Sequence, residues 1–568
     1  MPADYSDPSA FRRDGVTRRQ FLVGFSSAGL LAVLVACSPA AQPAPTTASK
    51  ATEAPKPAAT SAPAAAATQA PKPATQAPAV TAAPAATAKK GGTITLARTA
   101  RITNFNPLYS ARGHFALPRP MYNALVRLDQ NLQPKPDLAE SWQLSPDGLT
   151  MALKLRQGVK FHSGRDFTSE DVRITWQWAC DAQNAAMLRT VFLFIKDVKT
   201  PDKYSVELKF DRPCPMVYDA LDALWVLDKT KIDALPNTDA GTGPYMVEKY
   251  VPPDEVYCTR FPDYWDKGKP YIDKYVLKSI PDESALSLNL ESKALDGIWA
   301  PPYQDVARLK TQPGYVVNPG LAVPSNFVVM TKVTVKPFDN KKVRQAINHC
   351  IDRERIVKTV TMGLTEPTWL HWTKGSWAYF PDMEGRYKYD LEKAKQLLAE
   401  AGYANGFETT MTLSKQVNPP QFGIGQIVQG DLAKVGIKAK IEDVESTLYT
   451  KRIQGGEYEM AVNNYGRINR DPSTMMNGNP HFRVKSEAGS HLGYENAEYV
   501  AWRDEAATIT DQEKRKALFR KIQEFLLEES FMMPVTWNQS FWIYRDYVKD
   551  LTFNSEWSPY VGDAWLDK

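Results

Sequence analysis

Several things are scarce in this chain. It has five cysteines among 568 residues, and no CxxC pair. Its six histidines are scattered, with no HExxH and no His-x-His. A structural zinc site is therefore not indicated, and neither metal nor cofactor is expected. The net charge is only +5, with no basic block, which excludes a nucleic-acid binder. GxSxG, HExxH and SxxK are all missing, which argues against a secreted hydrolase, although acid pairs suited to a glycosidase occur in any chain of this size. Past the N-terminal segment there is no second long apolar run, so the sequence predicts a soluble body. No repeat of solenoid length is present.

The N-terminal segment itself is informative. Thr17-Arg18-Arg19-Gln20-Phe21-Leu22 looks like a twin-arginine export signal. The apolar stretch from Phe21 to Ala36 is too short and too rich in Gly, Ser and Ala for a good membrane-spanning helix. Leu34-Val35-Ala36-Cys37 then resembles a lipobox, in which the chain is cut before Cys37 and its sulfur is acylated. The competing reading is one transmembrane helix with an incidental cysteine. Residues 38–90 are dominated by Ala, Pro and Thr; they cannot bury a core and suit an extended spacer. The expected arrangement is a folded body, exported and held by lipid on the outer face of the cytoplasmic membrane.

Hydrophobic residues at 43% and charged residues at 23% are ordinary for a globular body, here long enough for two or three domains. Alternation at Met151, Leu153 and Leu155, and at Tyr204, Val206, Leu208 and Phe210, predicts strands. Thr168-Ser169-Glu170-Asp171 reads as a capping box before a helix carrying Val172, Thr175, Trp176 and Ala179. Asp339 is placed to cap a helix with Val343, Ile347, Cys350 and Ile351 on its apolar face. Asp390 precedes another helix, which Gly402 ends. Strands follow near 409–413, 437–441 and 458–463. Alternating strands and helices predict an α/β layer fold. Cys180, Cys214, Cys258 and Cys350 allow one disulfide or four free thiols equally well.

Four segments in order resemble the extracytoplasmic solute-binding proteins of oligopeptide and dipeptide ABC transporters. They are Phe161–Val172; Gly241-Thr242-Gly243-Pro244-Tyr245 with Tyr264-Trp265 and Gly268–Asp273; Pro337–Asn348 with Asp352-Arg353; and Tyr389–Tyr403. The resemblance implies a type II, two-lobed hinged fold with the extra subdomain of peptide-binding members. The signal read above occupies 1–37 and the linker 38–90. Lobe I would span 91–326, including the subdomain at about 121–235, lobe II 327–534, and the return to lobe I 535–568. The hinge crossings fall near Phe327–Lys332 and Pro534–Trp537. It further implies a monomer that binds and does not catalyse, closes on a small solute between its lobes, and docks on membrane permease subunits.

Peptide-binding members carry Trp-x-x-Asp-x-x-(Asp/Glu)-Pro, whose first acid pairs with the peptide ammonium. Here Tyr465-Gly466-Arg467-Ile468-Asn469-Arg470-Asp471-Pro472 matches, but Ile468 stands where the acid would be. Ile468 cannot pair an ammonium, and Arg467 would repel one. Either Asp471 supplies the charge or the solute has no free amine; an oligosaccharide, an opine or a metal chelate are then alternatives. The competing reading of Asp471, as a helix cap or turn residue before Pro472, is the stronger of the two. The other cleft candidates are Tyr109, Trp369, His371, Trp372 and Trp537, with packing as the competing role for each.

Overall fold

The computed structural model describes residues 88–568 apart from 103–106, 110–118, 130, 185, 187–188, 235–237, 320–324, 466–469, 488–489 and 554–557. The export signal, Cys37 and the linker up to residue 87 lie outside the described residues, as do Arg467 and Ile468.

Two sheets organise the body. The strand Thr93–Arg98 sits inside a seven-stranded sheet and runs parallel to both neighbours, Lys274–Ser279 and Gly297–Trp299. Its residues alternate, with Ile94 and Leu96 on one face and Thr93, Thr95 and Ala97 on the other. Ile94 and Leu96 enter one core, and Ala97 enters another beneath the helices Glu283–Glu291 and Tyr303–Leu309. The other sheet has five strands in the order Ile437–Asp443, Phe407–Leu413, Met460–Tyr465, Ser325–Thr331 and Met532–Asn538. It too is covered on both faces. Phe327 and Val329 point to the helices Lys341–Cys350, Leu391–Glu400 and Pro419–Ala433, while Val328 and Met330 point to an aromatic-rich core.

The chain passes from the first sheet to the second between Asn318 and Ser325, and returns between Asn538 and Trp542. Ser325–Thr331 and Met532–Asn538 are paired along their length within the second sheet, so the crossings fall at the ends of these strands rather than within them. Trp542–Arg545 then adds to the first sheet beside Gly297–Trp299. A separate four-stranded antiparallel sheet lies at 139–210, and its core is continuous with one face of the first sheet.

Local chemistry accounts for the motif segments. An added Cβ at Gly243 would meet the Met121 carbonyl carbon at 2.5 Å, so only glycine lets the two backbones approach there. His162 is bound on both ring nitrogens, to Asp239 at 2.8 Å and to the Gly243 carbonyl at 2.9 Å. Asp390 caps the helix Leu391–Glu400, and Gly402 follows it at φ +87°. The helix Lys341–Cys350 is capped by Asn340, not by Asp339: the Asn340 side-chain oxygen Oδ1 accepts from the Lys342 amide at 2.9 Å. Cys180, Cys214, Cys258 and Cys350 are all free.

Candidate functional site

Parallel strands in α/β sheets leave a crevice beyond their carboxyl ends, where loops and helix starts converge. Here two such ends face each other. Thr99 and Ala300, just past two strands of the first sheet, share a cavity with Asn418, which starts a helix of the second. The two crossings, which leave the second sheet at the paired residues Ser325 and Asn538, divide the space between the lobes into two sides.

On one side lies a groove of about 870 Å³, flanked by Pro301, Gln304, Arg355, Asn418, Gln426 and Asn538. None of the residues singled out from the sequence lines it. On the other side the extra subdomain meets the aromatic-rich face of the second sheet. Three buried indole N–H groups lie here without partners, Trp372 Nε1, Trp537 Nε1 and Trp299 Nε1, while the Tyr465 hydroxyl faces Asn326 and His371 meets the Met532 backbone. Buried polar groups are nearly always paired, so these indole donors are available for hydrogen bonds from outside the fold. That chemistry makes this side the candidate solute cleft, although the opposite groove is roomy.

The sequence candidates take distinct positions on this side. Tyr465 ends its strand opposite Asn326 and stacks on His371, with ring centroids 5.8 Å apart. His371 Nδ1 accepts from the Gln523 amide at 3.0 Å, and the ring also meets the Met532 backbone. Burial pulls this imidazole down to about 3, so it is neutral. Trp372 packs between Phe482 and Phe519. Trp537 lies in the hinge strand with the Lys374 ammonium 5.4 Å from its ring centre. Trp369 is set apart from these: its Nε1 donates to the Tyr387 carbonyl at 2.7 Å, and the Arg353 guanidinium covers its ring. Asp471 is occupied by structure. It caps the helix Pro472–Gly478 and pairs with Arg515 at 2.6 Å, both side chains being buried. Tyr109 ends the short turn Pro107–Tyr109, and its side chain lies outside the described residues.

Two features escaped the sequence. The first is Asp219, in the subdomain helix Val217–Ala223. Its carboxylate accepts from the amides of Arg470 at 2.7 Å and Asp471 at 3.0 Å, and from the Thr474 hydroxyl at 2.8 Å. An acid of one lobe thus binds the start of a helix in the other, where unpaired amides and the helix dipole favour negative charge. Arg470 lies over the Tyr218 ring beside it. The second is the pair Trp299 and Trp542, stacked with centroids 6.3 Å apart at the cleft end of the first sheet. Neither carries a motif; only the fold brings them to the cleft.

Comparison with known proteins agrees with this architecture. Residues 133–483 match the family of bacterial extracellular solute-binding proteins, family 5. The chain belongs to that family, whose members bind solutes for ABC importers and are not enzymes. It is 29% identical to heme-binding protein A of Haemophilus influenzae, over 77% of this chain and 85% of that protein. It is also 29% identical to the dipeptide-binding protein of Escherichia coli, over 78% and 89%. The crystal structure of the periplasmic binding protein DppA from Helicobacter pylori, in complex with the peptide STSA, superposes with a TM-score of 0.73 at 26% identity, covering 84% of this chain and 99% of that one. Two-lobed binding proteins of this kind define the fold class, type II with mixed α/β sheets.

Proposed function

We propose that this protein is the peptide-capturing subunit of an ABC importer. It is exported, tethered through lipid on Cys37, and closes its lobes on a peptide-like solute for delivery to permease subunits. The observation that carries this reading is the cleft itself: partnerless polar atoms among aromatic rings, beside an acid that binds one lobe to the other. Aromatic faces and hydrogen-bonding tips together suit a solute with a polar backbone and apolar side groups. The dipeptide-binding relative supports the solute class, and the lipobox-like Leu34–Cys37 supports the anchor. A second reading, a non-peptide solute such as an opine or oligosaccharide, is favoured by Ile468 at the position of the ammonium-pairing acid.

A thermal-shift screen separates the two. Di- to pentapeptides, free and N-acetylated, are compared with cello- and xylo-oligosaccharides. Peptides of both forms should raise the melting temperature by several degrees, because Ile468 makes the free amine dispensable. Stabilisation by the saccharides alone would overturn the peptide reading.

A further inference from the structure

Arg98 ends the strand Thr93–Arg98 on the same face as Ile94 and Leu96, at the end that meets the second lobe. It is 3% exposed, yet no carboxylate pairs with it among the described residues. Its Nε donates to the Ala100 carbonyl at 3.1 Å and its Nη2 to the Arg101 carbonyl at 3.4 Å, while Nη1 has no acceptor. A contrasting case lies in the same molecule. Arg353 is also buried without an acid, but it donates to the carbonyls of Thr368 and Pro534 and to the Asn348 side chain at 2.6 Å, and none of its nitrogens is left over. Arg119, the other buried arginine with an unmet nitrogen, has its charge paired by Asp222 at 2.9 Å; Arg98 has neither a full set of acceptors nor an acid.

The strands on either side repeat the pattern. Arg98 pairs in register with Ser279 on one side and Trp299 on the other. Ser279 Oγ and Trp299 Nε1 are both buried without partners. Tyr275, on the same strand and face as Ser279, has an unpartnered hydroxyl as well. Three adjacent strands thus present a guanidinium, a hydroxyl and an indole N–H in one row, next to the stacked ring of Trp542. An uncompensated buried cation is costly to keep, and hydrogen-bond donors set around it are what a carboxylate requires.

The geometry points to a carboxylate-binding subsite on the first lobe, in which Arg98, Ser279 and Trp299 hold an acid group of the solute beside the Trp299–Trp542 platform. The inference rests on the solute-capture reading and narrows it to acid-bearing solutes. Two matched sets of probes test it by calorimetric titration of the full-length protein: di- to pentapeptides as C-terminal acids and as amides, and galacturonate oligosaccharides against neutral galactose ones. Acid forms should bind at least ~10-fold more tightly than their neutral partners. Arg98→Gln should erase that preference, and Arg98→Lys should keep part of it, with unchanged circular dichroism. Preference among galacturonates alone, lost in Arg98→Gln, would retain the subsite while removing the peptide reading. If Arg98→Gln does not fold, Ser279→Ala and Trp299→Phe each remove one donor and should weaken acid binding several-fold. No acid preference in either set, or a preference that survives in Arg98→Gln or in both donor deletions, overturns the subsite.

Discussion

His371 and His481 stand within the aromatic-rich core, and burial pulls both imidazoles down to about 3. His491, edge-on to His481 at 4.9 Å, is lowered as well. Their folded values lie below the ordinary 6.5, so the unfolded chain binds more protons in acid. Stability from these groups is complete above about pH 6.5 and is lost as the pH falls from there towards 3. Asp137 works the other way. Burial raises it to about 6, so its folded form holds a proton more readily than the unfolded chain and gains stability as the pH falls below that value. Burial also raises the carboxyls of Glu283 and Glu384, though not as far as Asp137, and the three imidazoles, two of them pulled down to about 3, outweigh these three carboxyls between pH 6.5 and 4. The melting temperature should drop across that interval, and His371→Gln with His481→Gln should flatten the slope by ~2 protons. An unchanged slope in the double variant would refute the assignment. None of this was visible in a sequence where six histidines are merely scattered; burial decides it, and burial depends on contacts distant in the chain.

At the scale of elements, legibility followed periodicity and capping. The helix Leu391–Glu400 could be read from Asp390, its spaced leucines and Gly402, because all of its determinants are local. The misplaced cap at Asp339 is an error of one residue between two good capping types, which only backbone geometry resolves. The clasp formed by Asp219 was invisible. Its helix reads as an ordinary amphipathic turn, and its partners lie more than 250 residues away. Arg98 did leave a trace: a charge in the apolar phase of an alternating strand, after Ile94 and Leu96. For the clasp, Asp219→Ala would leave the amides of Arg470 and Asp471 without an acceptor, at a cost of about 1–3 kcal/mol. Hydrogen exchange at those two amides should accelerate, and solute affinity should weaken by ~10-fold if the clasp belongs to the closed form. Unaltered exchange at both positions would show that the contact does not hold the lobes together.

For the molecule as a whole, the architecture was legible from the order of four motif segments, because the family match extends over most of the folded body. What the sequence could not supply was the side of the hinge on which each residue falls. Side chains on neighbouring positions of a strand point to opposite faces, so one residue separates the solute cleft from the groove behind it. That groove has a mechanical consequence. The two crossings leave the second sheet side by side, at the paired residues Ser325 and Asn538, and rotation about that point makes the lobes behave as a seesaw. As the front jaws part, the rear edges must converge, and as the jaws shut, the rear must gape. Fluorescent labels on Gln304 and Gln426, which flank the rear groove from opposite lobes, should move apart when solute is added, while a front pair draws together. A body wedged between those rear edges would act as a doorstop that keeps the front from swinging open.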